Sequence, residues 1–426
     1  MSSRALSWEI EYENFWRVAA ILLRPFHFGL AFPSLIYVAA MVVFLFRPPD
    51  LFSFYADRIA FGILISCVAL RTLVLRDPIP FFPGISLPML GLIALAVFRV
   101  LREPFDPQMW SIIASKYIVP FTLFHAAVLI YRGASQRKHF EVFVILALSY
   151  LIFIALAFLA DARSLIFPRF ILDESLGFHA DRARGPFLQA VANGVSLNIL
   201  GILLIALRRK LTTVVILLWI LLPLAIFATM TRAVWISFAV STLLLGWRLV
   251  ERRLQAVCTL LVIAGLTIGL AIGVSNRSLK TAVGERTEER GPVDARFAVY
   301  SAGWTMFQER PLTGWAASGM YAELARRMEG FHLRSFYVHN TYLALLVEFG
   351  VPGLALYGIL FLNLFRLSWR GPPEESSATA SLRKVWPILL GVYLFNAFFV
   401  DMAYQFVIAL LFTAAGMLCA PKDSAA

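Results

Sequence analysis

Long apolar runs separated by short polar breaks organise this chain. An α-helix rises 1.5 Å per residue, so about 20 apolar residues cross the hydrocarbon core of a bilayer. Runs of that kind stand near 26–46, 57–75, 85–100, 110–131, 140–160, 186–207, 211–228, 230–248, 254–274, 341–368, 384–400 and 402–420. Lipid offers backbone N–H and C=O groups no partners, so long apolar runs cross as helices. The pattern predicts an all-α integral membrane protein of about twelve transmembrane helices. The start, MSSRALSWEIEYENFW, is too polar for a secretory leader, and the run at 26–46 reads as an uncleaved first anchor.

The pattern is interrupted at length once. Residues 275–340 form the sizeable polar region, which separates a bundle of about nine spans (1–274) from the last spans (341–426). Within it, DARFAVYSAGWTMFQERP places Phe297, Tyr300, Trp304 and Phe307 at helical spacing, with Asp294 as N-cap and Pro311 as stop. In MYAELARRMEGF, Met320, Leu324, Met328 and Phe331 share one face, and Glu323, Arg326, Arg327 and Glu329 the other. Both segments are expected to be amphipathic helices on the outer membrane–water boundary, packing there or covering a site.

Composition agrees. The chain is 60% hydrophobic and 15% charged, where soluble domains run near 45–50% and about 25%. Cys67, Cys258 and Cys419 stand singly in apolar runs, without metal or redox spacing. The net charge of +12 would suggest nucleic acid in a soluble protein, but its distribution gives a different reason. With the N-terminus inside, the inner loops carry fifteen Lys and Arg and the short outer loops five. That is the positive-inside bias, with both termini cytoplasmic and no nucleic-acid partner.

Ionisable groups in or beside spans are costly to keep and are therefore candidates for function. Four clusters fall on the outer face: Arg182, Arg184 and Asn193 in RARGPFLQAVANG, Arg232 in TMTRAVW, Arg296 in DAR, and His339 with Asn340 in VHN. Arginines at span ends can simply snorkel to headgroups, and a lone interfacial His can be structural. Together they suit a diphosphate gripped by guanidinium forks, with an imidazole beside it to take a proton from an attacking hydroxyl. Glu348 can pair with an arginine or face the bundle interior. Asp-x-Asp, HExxH and Gly-rich phosphate loops are absent from the sequence, which argues against a metal-dependent nucleotide-sugar enzyme or an ATPase. No cofactor or metal is expected.

RARGPFLQAVANG, TRAVW, DARFAVYSAGWTMFQERPLTGW and HNTYLALLVEFGVPGLALYG, in that order over 182–365, resemble the O-antigen ligase and Wzy polymerase superfamily. The resemblance implies a GT-C-like fold in the bacterial inner membrane, with a large periplasmic loop between late spans. It implies metal-independent, inverting transfer of a glycan from undecaprenyl diphosphate to an acceptor hydroxyl. Arg184 and Arg232 match the arginines given to the diphosphate, and His339 the histidine that activates or positions the acceptor. Arg296 is a further loop contact, with Arg182, Asn193 and Asn340 as secondary candidates. The chain lacks the GNPN-type sequence of some members, which weakens Asn193. The acceptor is lipid A-core for a ligase and another lipid-linked glycan for a polymerase. The motifs do not separate the two. Ligase is preferred because a basic loop suits a phosphorylated core, although the loop holds nine Lys and Arg against seven Asp and Glu. A polyisoprenoid-glycan flippase is the rival from another class, but it would place charges at mid-membrane and show internal repeats.

Overall fold

The computed structural model describes residues 29–47, 56–177, 180–208, 212–249, 291–328, 338–369 and 377–421. Every regular element among them is helical. In chain order these are α1 (Pro33–Leu45), α2 (Ala56–Val74), α3 (Pro83–Val100), α4 (Pro107–Ile130), α5 (Ala134–Leu159), α6 (Ala190–Leu207) and α7 (Thr213–Phe227). There follow α8 (Arg232–Leu249), α9 (Gly291–Glu309), α10 (Ala317–Arg327), α11 (Thr341–Arg366), α12 (Ser377–Ala397) and α13 (Gln405–Cys419). Helices stand at eleven of the twelve positions read from hydropathy. The twelfth, 254–274, lies outside the described residues, as does the expected boundary at 274. Among the described residues, α3, α4, α5, α6 and α11 are long and apolar enough to cross a membrane.

Small residues and buried hydroxyls set the helix contacts. Gly416 of α13 faces α4 so closely that a Cβ there would stand 2.5 Å from the carbonyl oxygen of Phe124. The Tyr37 hydroxyl of α1 donates to the Leu123 carbonyl at 3.1 Å and bonds Thr413 of α13 at 2.6 Å, joining three helices in an apolar interior. The Asn396 carboxamide of α12 donates to Ser237 Oγ of α8 at 3.0 Å. That bond brings the end of α12 beside the helix that begins at Arg232.

The two loop helices depart from expectation. They pack against the first half of α11, where Val299, Ala302 and Met306 of α9 and Met320, Leu324 and Met328 of α10 close over Leu343, Ala344 and Val347. Met320, Leu324 and Met328 are buried on the face expected; Phe331 and Glu329 lie outside the described residues. The α9 face is turned: Phe297 and Trp304 of the expected stripe point outward, 68% and 49% exposed, while Tyr300 packs against the cluster. Asp294 lies within α9, which begins at Gly291, and so is not its cap. Apolar side chains surround α9, and the choice of face falls to α11. Arg327 ties the pair together through Glu309 (2.6 Å) and Glu323 (2.7 Å).

Two glycine turns interlock where the loop meets α11. Gly314, in PLTGW, and Gly350, in EFGVPG, each have φ +66°. A Cβ on Gly314 would stand 2.2 Å from the Glu348 carbonyl oxygen, and one on Gly350 2.3 Å from that of Pro311. Trp315 N–H donates to Val347 O at 2.8 Å and Val351 N–H to Pro311 O at 2.7 Å. Gly350 thus breaks α11 (φ 66°, ψ −161°) and presents its freed backbone to the loop.

Candidate functional site

Hydrogen bonds link the mouth of α11 to α9 and to the α12–α13 loop, and the turn before Arg232 to the loop before α6. Asn340 is the N-cap of α11, and its side-chain oxygen accepts from Tyr342 N–H (2.9 Å) and Leu343 N–H (3.0 Å). Capping occupies that oxygen and leaves the amide nitrogen of Asn340 for other partners. The cap aims the residue before it, His339, away from the helix. His339 is exposed, and its ring nitrogens have no hydrogen-bond partner among the described residues. The Tyr300 hydroxyl donates to the His339 carbonyl at 2.9 Å and to the Phe398 carbonyl at 3.4 Å, binding α9, the mouth of α11 and the α12–α13 loop at one atom. Thr341 Oγ1 adds a second tie, donating to Val400 O at 3.0 Å and accepting from Met402 N–H at 2.9 Å.

The His339 imidazole is held below its ordinary value, chiefly because surrounding protein removes part of its water and also because the Arg296 guanidinium lies near. A lowered value keeps the ring neutral near pH 7, with a lone pair able to accept a proton. Arg296 itself is exposed on α9.

Arg232 opens α8 and is exposed, with no ion-pair or hydrogen-bond partner among the described residues. The turn before it is strongly shaped. Met230 has φ 48°, Thr229 Oγ1 donates to Ile226 O at 2.7 Å, and Trp235 Nε1 donates to the same carbonyl at 3.1 Å. The turn is also tied to the preceding loop, because Ala183 N–H donates to Ala228 O at 3.1 Å.

Arg184 behaves differently. It is 1% exposed, and three of its nitrogens donate to backbone carbonyls: Nε to Ile171 at 2.9 Å, Nη1 to Leu176 and Nη2 to Asp173. This guanidinium is the hub of the loop between α5 and α6, with Nε, Nη1 and Nη2 all engaged by loop carbonyls. The Asn193 amide likewise donates to Ala183 O at 2.8 Å beneath Gly185, while its Oδ1 is buried without a partner among the described residues. Arg182 is buried beside Asp181, 3.8 Å away. A buried arginine can use its five donors on loop carbonyls as readily as on phosphate, and the sequence does not distinguish the two uses.

One cluster was not singled out from the sequence. Lys116 Nζ, on a π-helical turn of α4 (Ala114–Ile118), stands 3.4 Å from Glu348 Oε1 of α11 and 3.3 Å from Asp401 Oδ2 of the α12–α13 loop. The rule that a charge inside a span is suspect points to Lys116, and π-bulges gather at functional positions. Lys116 and Tyr117 line two cavities. One is walled mainly by apolar side chains of α3, α4, α11 and α13, and the other lies between α3, α4, α10 and α11. Among the described residues no group of three or more His, Cys, Asp or Glu could hold a metal ion.

Residues 213–358 match the family model described as O-antigen ligase. The match takes in Arg232, Arg296, His339 and Asn340 and begins after Arg182, Arg184 and Asn193. No curated protein matches the chain.

Proposed function

We propose that this membrane protein, whose residues 213–358 match the O-antigen ligase family model, transfers a glycan from undecaprenyl diphosphate to an acceptor hydroxyl at the periplasmic face of the inner membrane. The observation that carries the reading is the exposed, neutral-leaning imidazole of His339 beside the Arg296 guanidinium, with Arg232 exposed and without a partner among the described residues.

In this mechanism the lipid-linked donor enters from the outer leaflet, in a GT-C-like arrangement of about twelve spans with both termini cytoplasmic. Arg232 and Arg296 face the diphosphate. The acceptor hydroxyl gives its proton to a His339 ring nitrogen as its oxygen bonds to the anomeric carbon. The bond from that carbon to the diphosphate oxygen breaks, and undecaprenyl diphosphate leaves with the electron pair. Attack from the side opposite the leaving group inverts the anomeric centre. Guanidiniums aimed at the leaving diphosphate lower the barrier electrostatically, with no metal required. Arg184 serves from behind, holding the loop that is bonded to the Arg232 turn. Helices α9 and α10 cover the mouth of α11 and limit access of water, which would otherwise hydrolyse the donor.

Lipid A-core is the preferred acceptor, which makes the enzyme a ligase. Purified protein with lipid-diphosphate glycan and lipid A-core tests this. One new glycosidic bond to the core means ligase, and a ladder without added core means polymerase. Donor translocation with no new bond would overturn the enzymatic reading.

A further inference from the structure

The cavity between α3, α4, α10 and α11 contains hydrogen-bond donors with nothing to donate to. Arg99 Nε and Nη2 are buried and unpartnered, as is the hydroxyl of Tyr117, a residue 8% exposed; all three belong to residues lining this cavity. Lys116 and Glu348 complete the polar wall, already paired with each other at 3.4 Å. Unpaired buried donors are costly, a guanidinium most of all. Nε and Nη2 form the edge of the guanidinium fork that matches two oxygens of one phosphate. The two guanidinium N–H groups only donate and the hydroxyl can donate to the same partner, so an acceptor-rich, anionic ligand complements them. Lys116 is shared between Glu348 and Asp401, so the Arg99 guanidinium, which lies 5.4 Å from the centre of the Phe349 ring, completes the charge balance of this wall while its Nε–Nη2 edge keeps its hydrogen-bonding capacity for that ligand.

The mouth of the cavity indicates what carries the anion. Ile112 lines it and is 40% exposed, on a helix long and apolar enough to cross the membrane. Phe98 and Leu101, flanking Arg99 in sequence, are also exposed and apolar. Met320 and Tyr321 of α10 also line it. A water-soluble anion would have to pass this apolar rim, whereas a lipid headgroup would enter with its chains along α3 and α4. His339, Arg296 and Arg232 are not among the lining residues.

We propose that Arg99 and Tyr117 form a second anion site, which takes the phosphate of a membrane lipid apart from the site at His339. The inference stands on the cavity and not on glycan transfer, so its test reads lipid binding alone. Three lipids could supply the phosphate: undecaprenyl diphosphate, bisphosphorylated lipid A, or phosphatidylglycerol. Native mass spectrometry of the purified protein titrated with each lipid, and with undecaprenol and diacylglycerol as phosphate-free controls, measures occupancy. Arg99→Gln should weaken one bound equivalent of at least one phosphate lipid by about tenfold or more, and Tyr117→Phe by about threefold. Arg99→Lys, which keeps the charge but loses the fork, should fall between wild type and Arg99→Gln. The phosphate-free controls should bind all forms alike, and the lipid that loses the equivalent names the source. Unchanged binding of all three phosphate lipids to Arg99→Gln and to Tyr117→Phe would overturn the proposal. If Arg99→Gln does not fold, the isosteric Tyr117→Phe decides.

Discussion

The Tyr300 hydroxyl donates to the backbone carbonyl of His339 at 2.9 Å, across 39 residues of chain. The candidate base is therefore placed by a loop helix as well as by the transmembrane helix it precedes. A net hydrogen bond is worth about 0.5–1.5 kcal/mol, so Tyr300→Phe should lower the transfer rate about two- to tenfold. A positioning role predicts the loss in kcat with little change in donor KM, measured by initial rates over a range of donor concentration.

His339 should also govern the acid side of the pH profile. Its value is pushed below the ordinary one, so the neutral, proton-accepting form persists to lower pH, and the rate should fall only below about pH 6.5, the unperturbed value. Arg296 is one cause of the depression. Arg296→Gln should move the acid limb to higher pH as well as weaken donor binding. Rates across pH 4.5–8, with protein integrity checked at each point, would reveal a limb that stays fixed.

Arg232 and Arg184 should separate sharply. Arg232 is exposed with no partner among the described residues, so Arg232→Gln should leave thermal unfolding nearly unchanged and cost about 10²–10³ in rate, as loss of one charge-stabilising donor does. Arg184→Gln strips donors from the carbonyls of Ile171, Asp173 and Leu176. It should destabilise by about 2 kcal/mol or more and open the α5–α6 loop to protease. Limited proteolysis and thermal unfolding in detergent test both.

The interlocked glycines predict a backbone effect. Gly314→Ala must accept a left-handed φ and a contact with the Glu348 carbonyl, for which the backbone of α11 would have to shift. Left-handed geometry alone costs about 1–2 kcal/mol, so the total should exceed that and separate the loop helices from α11. Loss of hydrogen-exchange protection at Trp315 and Val351 would register it.

Lys116 holds two carboxylates that would otherwise face each other in an apolar setting. Lys116→Met should destabilise by about 3 kcal/mol, since the penalty falls on the charges left unpaired. The double change Lys116→Met with Glu348→Gln should recover part of it, read by thermal unfolding in one detergent.

Sequence alone determined the membrane class and nearly every helix position. Hydropathy and helical period are local properties. Tertiary structure alone decided three matters. The partner of Glu348 is Lys116, 232 positions away in sequence, a pairing no local period encodes. The donors of Arg184 meet loop carbonyls, and in sequence an arginine near a span end reads alike whether its donors meet carbonyls or phosphate. The buried face of α9 was misjudged because the helix is apolar on both sides: Val299 and Met306 fit against α11, while the larger Phe297 and Trp304 stay outside. Where one side chain could satisfy several partners, the packing of distant segments chose among them.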